Sequence, residues 1–214
     1  VKFSSALAYL ALATAAVGCQ SAQTEPELLP PLARTRATDD FATYNLRRVG
    51  ILPLSGAPLE RTGELHKSLG FELARRAPFE VVELGATDLA ELQLDQPHAR
   101  GRYTPQTILA IARRFRLDGI FVGTVTHLQS FAPQSLGLQL ELVAVETGLV
   151  VWSSSIDLDT SELRVRDSLE AYQAGRVAGG DSADDVQVLM LSPASLARFA
   201  AGEIARTLDT AEQP

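Results

Sequence analysis

RVGILPLSGAPLERTGELHKSLGFELARRAPFEVVEL, residues 48–84, holds the signals from which the fold class follows. Arg48 to Leu54 is a short apolar run that closes near Pro53, the pattern of a buried strand. Residues 60–77 then place Leu65, Leu69, Leu73 and Ala77 four apart, one apolar stripe along a helix. Pro78 lacks a backbone donor and stops that helix, and Phe79 to Leu84 resumes as a strand. Strand, helix and strand in this order predict parallel pairing, because parallel neighbours need a long crossover between them.

Downstream, Thr87 to Leu92 reads as a short helix and 93–103 as a loop. Thr104-Pro105 opens a second long helix, with threonine at the cap and proline in the first turn. Ile108, Leu109, Ile111, Ala112 and Phe115 give it a broad apolar face, and Asp118-Gly119 ends it. Ile120 to Thr126, Gln139 to Val145 and Leu149 to Ile156 predict three more strands, the last two joined by the turn Glu146-Thr147-Gly148. Residues 161–175 and Ser192 to about Leu208 read as helices around a Gly/Asp-rich loop at 178–185. The expectation is a single α/β domain over 44–214: a mixed sheet of about five strands in β-α-β-α-β-β-β order, packed helices and further C-terminal helices.

Upstream, residues 20–43 contain Pro26, Pro30 and Pro31 among scattered polar residues and read as a flexible tether, on the order of 75 Å long when extended. Residues 1–18 begin with Lys2, continue through an apolar run from Ala6 to Val17, and end in small residues, the build of a signal peptide. The apolar run is too short for a transmembrane helix. Ala16-Val17-Gly18-Cys19 resembles the lipobox of bacterial lipoproteins, with Ala16 where that box usually has Leu. The resemblance implies cleavage between Gly18 and Cys19, a diacylglyceryl group on the Cys19 thiol and an acylated amino terminus. Gln20 after the cysteine, rather than Asp, implies sorting to the outer membrane, facing the periplasm. More than one acyl chain gives stable anchoring.

The segments "VGILPL", "FEVVEL", "RLDGIFVGTV" and "VETGLVVWSS" resemble those of a group of envelope domains. The group comprises the curli secretion lipoprotein family, the TolB amino-terminal domain and the lipoprotein activators of penicillin-binding proteins. The resemblance covers about 49–158 and implies an adaptor or assembly domain with no catalytic residues to carry over. The curli pore needs two spare amphipathic hairpins per subunit. The only candidate here, His127 to Leu138, is short and interrupted by Pro133.

Among 214 residues, 46% are hydrophobic, enough for a sizeable core, and the net charge of −7 argues against a nucleic-acid partner. One cysteine excludes an internal disulfide, and three scattered histidines leave little for a metal cluster. His66, His98 and His127 fall in no metal, triad or phosphate-loop motif and read as surface or interface residues. Glu72 and Glu83 read as solvated, Trp152 as core or edge. Arg113, Arg114 and Arg116, late in their helix, complement its dipole. The expected function is therefore a membrane-anchored, non-enzymatic lipoprotein without cofactor or metal that binds an unidentified envelope protein. The alternatives are an oligomeric secretion subunit of the curli type, or an exported small-ligand binder. The ligand site would form at the carboxyl ends of the parallel strands, near 54–61 and 126–134.

Overall fold

The structure, a computed structural model, describes residues 30–92, 104–176 and 192–211. In chain order its elements are β1 (Arg34–Ala37), β2 (Arg48–Ile51), α1 (Leu59–Arg76), β3 (Glu80–Glu83), α2 (Ala86–Ala90), α3 (Pro105–Phe115), β4 (Gly119–Gln129), β5 (Ser135–Ala144), β6 (Val150–Asp159), α4 (Leu163–Arg176) and α5 (Pro193–Ala211). The signal peptide, Gly18, Cys19, His98 and the loops expected at 93–103 and 178–185 lie outside the described residues.

The expected β-α-β unit is present, and β2 lies parallel to β3 on one side and to β4 on the other. The sheet has the order β1-β6-β5-β4-β2-β3, with β4, β5, β6 and β1 antiparallel in succession. Asp118 fixes the start of β2: its carboxylate accepts the backbone N–H groups of Arg47 and Arg48, both at 3.0 Å. Thr104 caps α3 as expected, its hydroxyl accepting the Thr107 N–H at 3.2 Å.

One face of the sheet packs on α1 and α5, burying Leu65, Leu69 and Leu73 from α1 and Phe199, Ala200 and Ile204 from α5. Trp152, Phe121, Leu138 and Leu140 meet them from the sheet. Among the described residues the second face is covered over β3, β2 and β4, where Leu89, Ile108 and Ile111 of α2 and α3 close on Leu52, Leu84 and Ile120.

Two expectations change. The sheet has six strands, because Arg34–Ala37, inside the stretch read as tether, pairs antiparallel with Ser155 to Trp152 of β6. Ala33 and Phe41 on either side of it are buried in the main core, so packed structure starts well before residue 44. The β4–β5 hairpin is also longer than expected. Leu136 and Leu138 are buried in the main core, and Pro133 sits in the turn, where the Ala132–Pro133 peptide is cis. The 127–138 segment is thus the end of a core hairpin rather than a spare one.

Glu203 of α5 ties the early chain down. Its carboxylate accepts the Leu32 N–H at 2.7 Å and pairs with Arg206 at 2.6 Å, and its side chain is only 7% exposed. Removing it strands the Leu32 backbone donor and takes one carboxylate contact from the partly buried Arg206 guanidinium. Glu203→Ala is expected to lose about 2 kcal/mol and to make 30–38 the first segment cut in limited proteolysis. An unchanged melting temperature and cleavage pattern would mean that the clasp contributes nothing.

Candidate interaction surface

Strand alternation puts Arg34 and Arg36 of β1 on the sheet face that α2 and α3 leave open. Register then builds cross-strand rows. Arg34, Ser155, Gln139 and Thr124 form one, and Arg36, Ser153, Glu141 and Val122 the next. Both arginines, Gln139 and Glu141 are exposed, and the two serines half-buried. A depression of about 660 Å³ lies beside Arg34, Gln139 and Asp157, and a shallower one of about 300 Å³ between Arg36, Glu141 and Ser153. The face is broad, polar and of mixed charge. Surfaces of this kind suit a protein contact in which a few hydrogen bonds and charges fix register.

Asp157, Gly137 and His127 make a third row. His127 Nε2 lies 3.5 Å from Asp157, and its Nδ1 3.4 Å from the Thr126 hydroxyl. The order of groups resembles a hydroxyl–imidazole–carboxylate triad, but both contacts are long and Asp157 is 82% exposed. A working triad needs a buried carboxylate that holds the imidazole; here water competes for both contacts.

The crevice expected at the carboxyl ends of β2 and β4 is filled. Leu54 and Ser55 are buried, and the Ser55 hydroxyl bonds to Gly123 O at 3.1 Å and to the Thr124 hydroxyl at 3.0 Å. Arg61 crosses the mouth and donates to Leu128 O at 2.7 Å. What remains is a space of about 70 Å³ between Leu65, Leu128, Leu136 and Leu196, small and mostly apolar. Ligand pockets run to several hundred Å³ with converging polar groups, so the crevice between β2 and β4 does not support the small-ligand alternative; the roomier depression beside Thr126 and Asp157 lies on the open sheet face instead. Among the described residues no cluster of His, Cys, Asp and Glu is arranged to hold a metal ion, and no helix is long and apolar enough to cross a membrane.

The other residues singled out from sequence fall apart in space. Glu72 is buried on α1, contrary to expectation, and pairs with Arg75 at 3.0 Å. Arg75 also lies over the Phe71 ring. Glu83 leans on α1 at Gly70, where burial raises its pKa against the opposing pull of Lys67. Arg114 approaches Glu91 at 3.8 Å, and Arg116, with φ +56°, closes α3. Trp152 is core.

His66 is buried on α1 with no hydrogen-bond partner for Nδ1, and burial lowers its pKa below 6.5. An unfolded chain takes up this proton near the usual pKa; the folded chain does so only at lower pH. Stability is therefore full above about pH 6.5 and declines as the pH falls below it. His66→Leu is expected to flatten that part of the acid slope in urea midpoints measured against pH. An identical slope in the variant would assign the loss to other groups.

No family model matches the chain, and no curated protein matches it. Solved structures do. A PelC dodecamer from Paraburkholderia phytofirmans is 13% identical, covering 80% of this chain and 94% of that one, with a TM-score of 0.47. Lipoprotein GNA1162 from Neisseria meningitidis is 17% identical over 63% and 99% of the two chains, TM-score 0.40. The LpoB C-terminal domain from Salmonella enterica is 20% identical over 52% and 82%, TM-score 0.36. At these values the likeness is one of fold, and no functional residue carries over.

Proposed function

We propose that the chain is an envelope lipoprotein acylated at Cys19, held at the outer membrane facing the periplasm, and that its domain is a non-catalytic adaptor for another envelope protein. The open half-sheet bearing Arg34, Arg36, Gln139 and Glu141 carries this reading, because it offers a broad polar contact area with depressions for a partner's side chains, and the described residues on it form no catalytic arrangement. The leader and lipobox resemblance support the anchor. Residues 20–31 separate Cys19 from the clasped Leu32 and span at most about 40 Å, half the reach expected from sequence. An adaptor so leashed works close to the bilayer.

Cys19→Ala is expected to move the chain from the membrane to the soluble fraction and to abolish acyl labelling; retention in the membrane overturns the anchor. A photo-reactive residue at Ser155 should cross-link a single envelope protein that one at Phe71 does not; equal patterns from both sites overturn the adaptor face.

A second reading, a ring-forming subunit, is favoured by the sheet's two edges. One ends in Arg34 and Arg36, the other in Glu80 on the same sheet face, and the two edge strands run in opposite directions. Copies joined edge to edge would pair antiparallel with complementary charge. Light scattering in detergent tests it, and a monomer removes it.

A further inference from the structure

Seven large apolar side chains stand exposed among the described residues, and they are not scattered evenly. Phe131 is 84% exposed, Leu163 66% and Leu59 46%, and all three lie at one end of the sheet. Phe131 forms the tip of the β4–β5 turn, which Gln129 closes by donating to the carbonyls of Pro133 (2.7 Å) and Phe131 (3.4 Å). Leu163 opens α4 just after Thr160, whose N–H and hydroxyl are both bonded to Gln134 of that turn. Leu59 opens α1 beside Arg61, which reaches Leu128.

The chain coming from Cys19 arrives at this same end. Before β1, Pro31 and Leu32 line a depression together with Glu162, Arg164 and Val165 at the start of α4. Leu149 and Val150 lie at the opposite end, Leu109 stands alone on α3, and Phe71 is covered in part by Arg75. Charges around the tip are balanced, Arg61, Arg164, Arg166 and Arg198 against Glu60, Glu64, Asp159 and Glu162, so neither sign dominates.

We infer that this end of the domain docks on a phospholipid bilayer, with Phe131 entering the interfacial zone and Leu59 and Leu163 beside it. A leash of at most about 40 Å holds the tip at high effective concentration over the surface, so weak apolar insertion suffices. An aromatic ring at the headgroup boundary gains from burial, and the balanced charges make the contact indifferent to anionic lipid. Docking would fix the orientation of the domain and stand the open sheet face upright for its partner. The inference takes its setting from the anchor proposed at Cys19.

The test uses the full chain, produced without acylation and coupled through the Cys19 thiol, its lone cysteine, to maleimide-headgroup lipid in phosphatidylcholine vesicles. Phe131→Trp and Leu149→Trp are compared; both retain the buried Trp152 as a common background. The emission of Phe131→Trp is expected to shift to the blue and to be quenched by brominated acyl chains several-fold more than that of Leu149→Trp, equally with and without phosphatidylglycerol. An unquenched indole in Phe131→Trp, or equal quenching in both variants, overturns the docking; quenching that requires phosphatidylglycerol overturns its apolar basis. Because the coupling supplies the attachment, these outcomes stand apart from the Cys19→Ala result. Loss of the natural anchor would not change the quenching, and an unquenched Phe131→Trp variant would leave acylation intact.

Discussion

Gly56→Ala is expected to destabilise the protein by about 3 kcal/mol or more, lowering the melting temperature by about 6–12 °C. Gly56 has φ +89°, a backbone conformation that costs an L side chain of order 1–2 kcal/mol by itself. A methyl group there would also press into the carbonyl oxygen of Val125. That carbonyl cannot retreat easily, because the Val125 N–H bonds to Ser55 O at 2.8 Å and the Ser55 N–H to Gly123 O at 2.9 Å. The two penalties add at the point where the chain leaves β2, runs along β4 and turns into α1. Gly63→Ala is the control. It is helical with open space at the same position, and it should gain about 0.5–1 kcal/mol from helix propensity. If both variants melted alike, the steric reading of Gly56 would be wrong.

The second large effect is expected at Trp152, 1% exposed at the centre of the main core. Its ring meets Phe121 edge-on at 5.9 Å and 82°, and Phe121 meets Phe79 at 6.2 Å. The three rings connect β6, β4 and the residue leading into β3. Trp152→Ala removes the end of that row and leaves a large cavity under α5, a loss of about 4 kcal/mol. Trp152→Phe should lose only about 1–2 kcal/mol. Because Nε1 has no hydrogen-bond partner, the smaller ring forfeits volume but no polar contact. Urea denaturation of the pair decides; equal losses would show that the ring as such matters little.

Five of the six strands were legible because each carries its own apolar signal, and α3 because Thr104-Pro105 marks its start. β1 was not. Its residues, Arg-Thr-Arg-Ala, have no hydrophobic period, and they form a strand only because β6 offers an open edge and Glu203 holds Leu32. The ends of β4 and β5 were underread for a related reason. Gln129, Ser135 and Gly137 face away from the core and dilute the run, although Leu128, Leu136 and Leu138 keep the inward alternation. The buried setting of Glu72 follows from the packing of α5 along α1, a contact between residues more than a hundred positions apart, and nothing within α1 announces it. The open polar face was invisible for the same reason. Serines on alternate positions of a strand look alike whether or not a helix covers them; among the described residues, it is the short reach of α2 and α3 that leaves them bare.

The pairing of Arg34 with Ser155 sets an order of events for the nascent chain. Some 120 positions lie between the partners, a closure that must wait for β6 and α5. Residues 34–37 therefore stay unpaired until nearly the whole chain is available to fold. On the proposal that Cys19 is acylated, that modification would precede completion of the sheet, and the late pairing of β1 would then shorten the leash between the finished body and the bilayer.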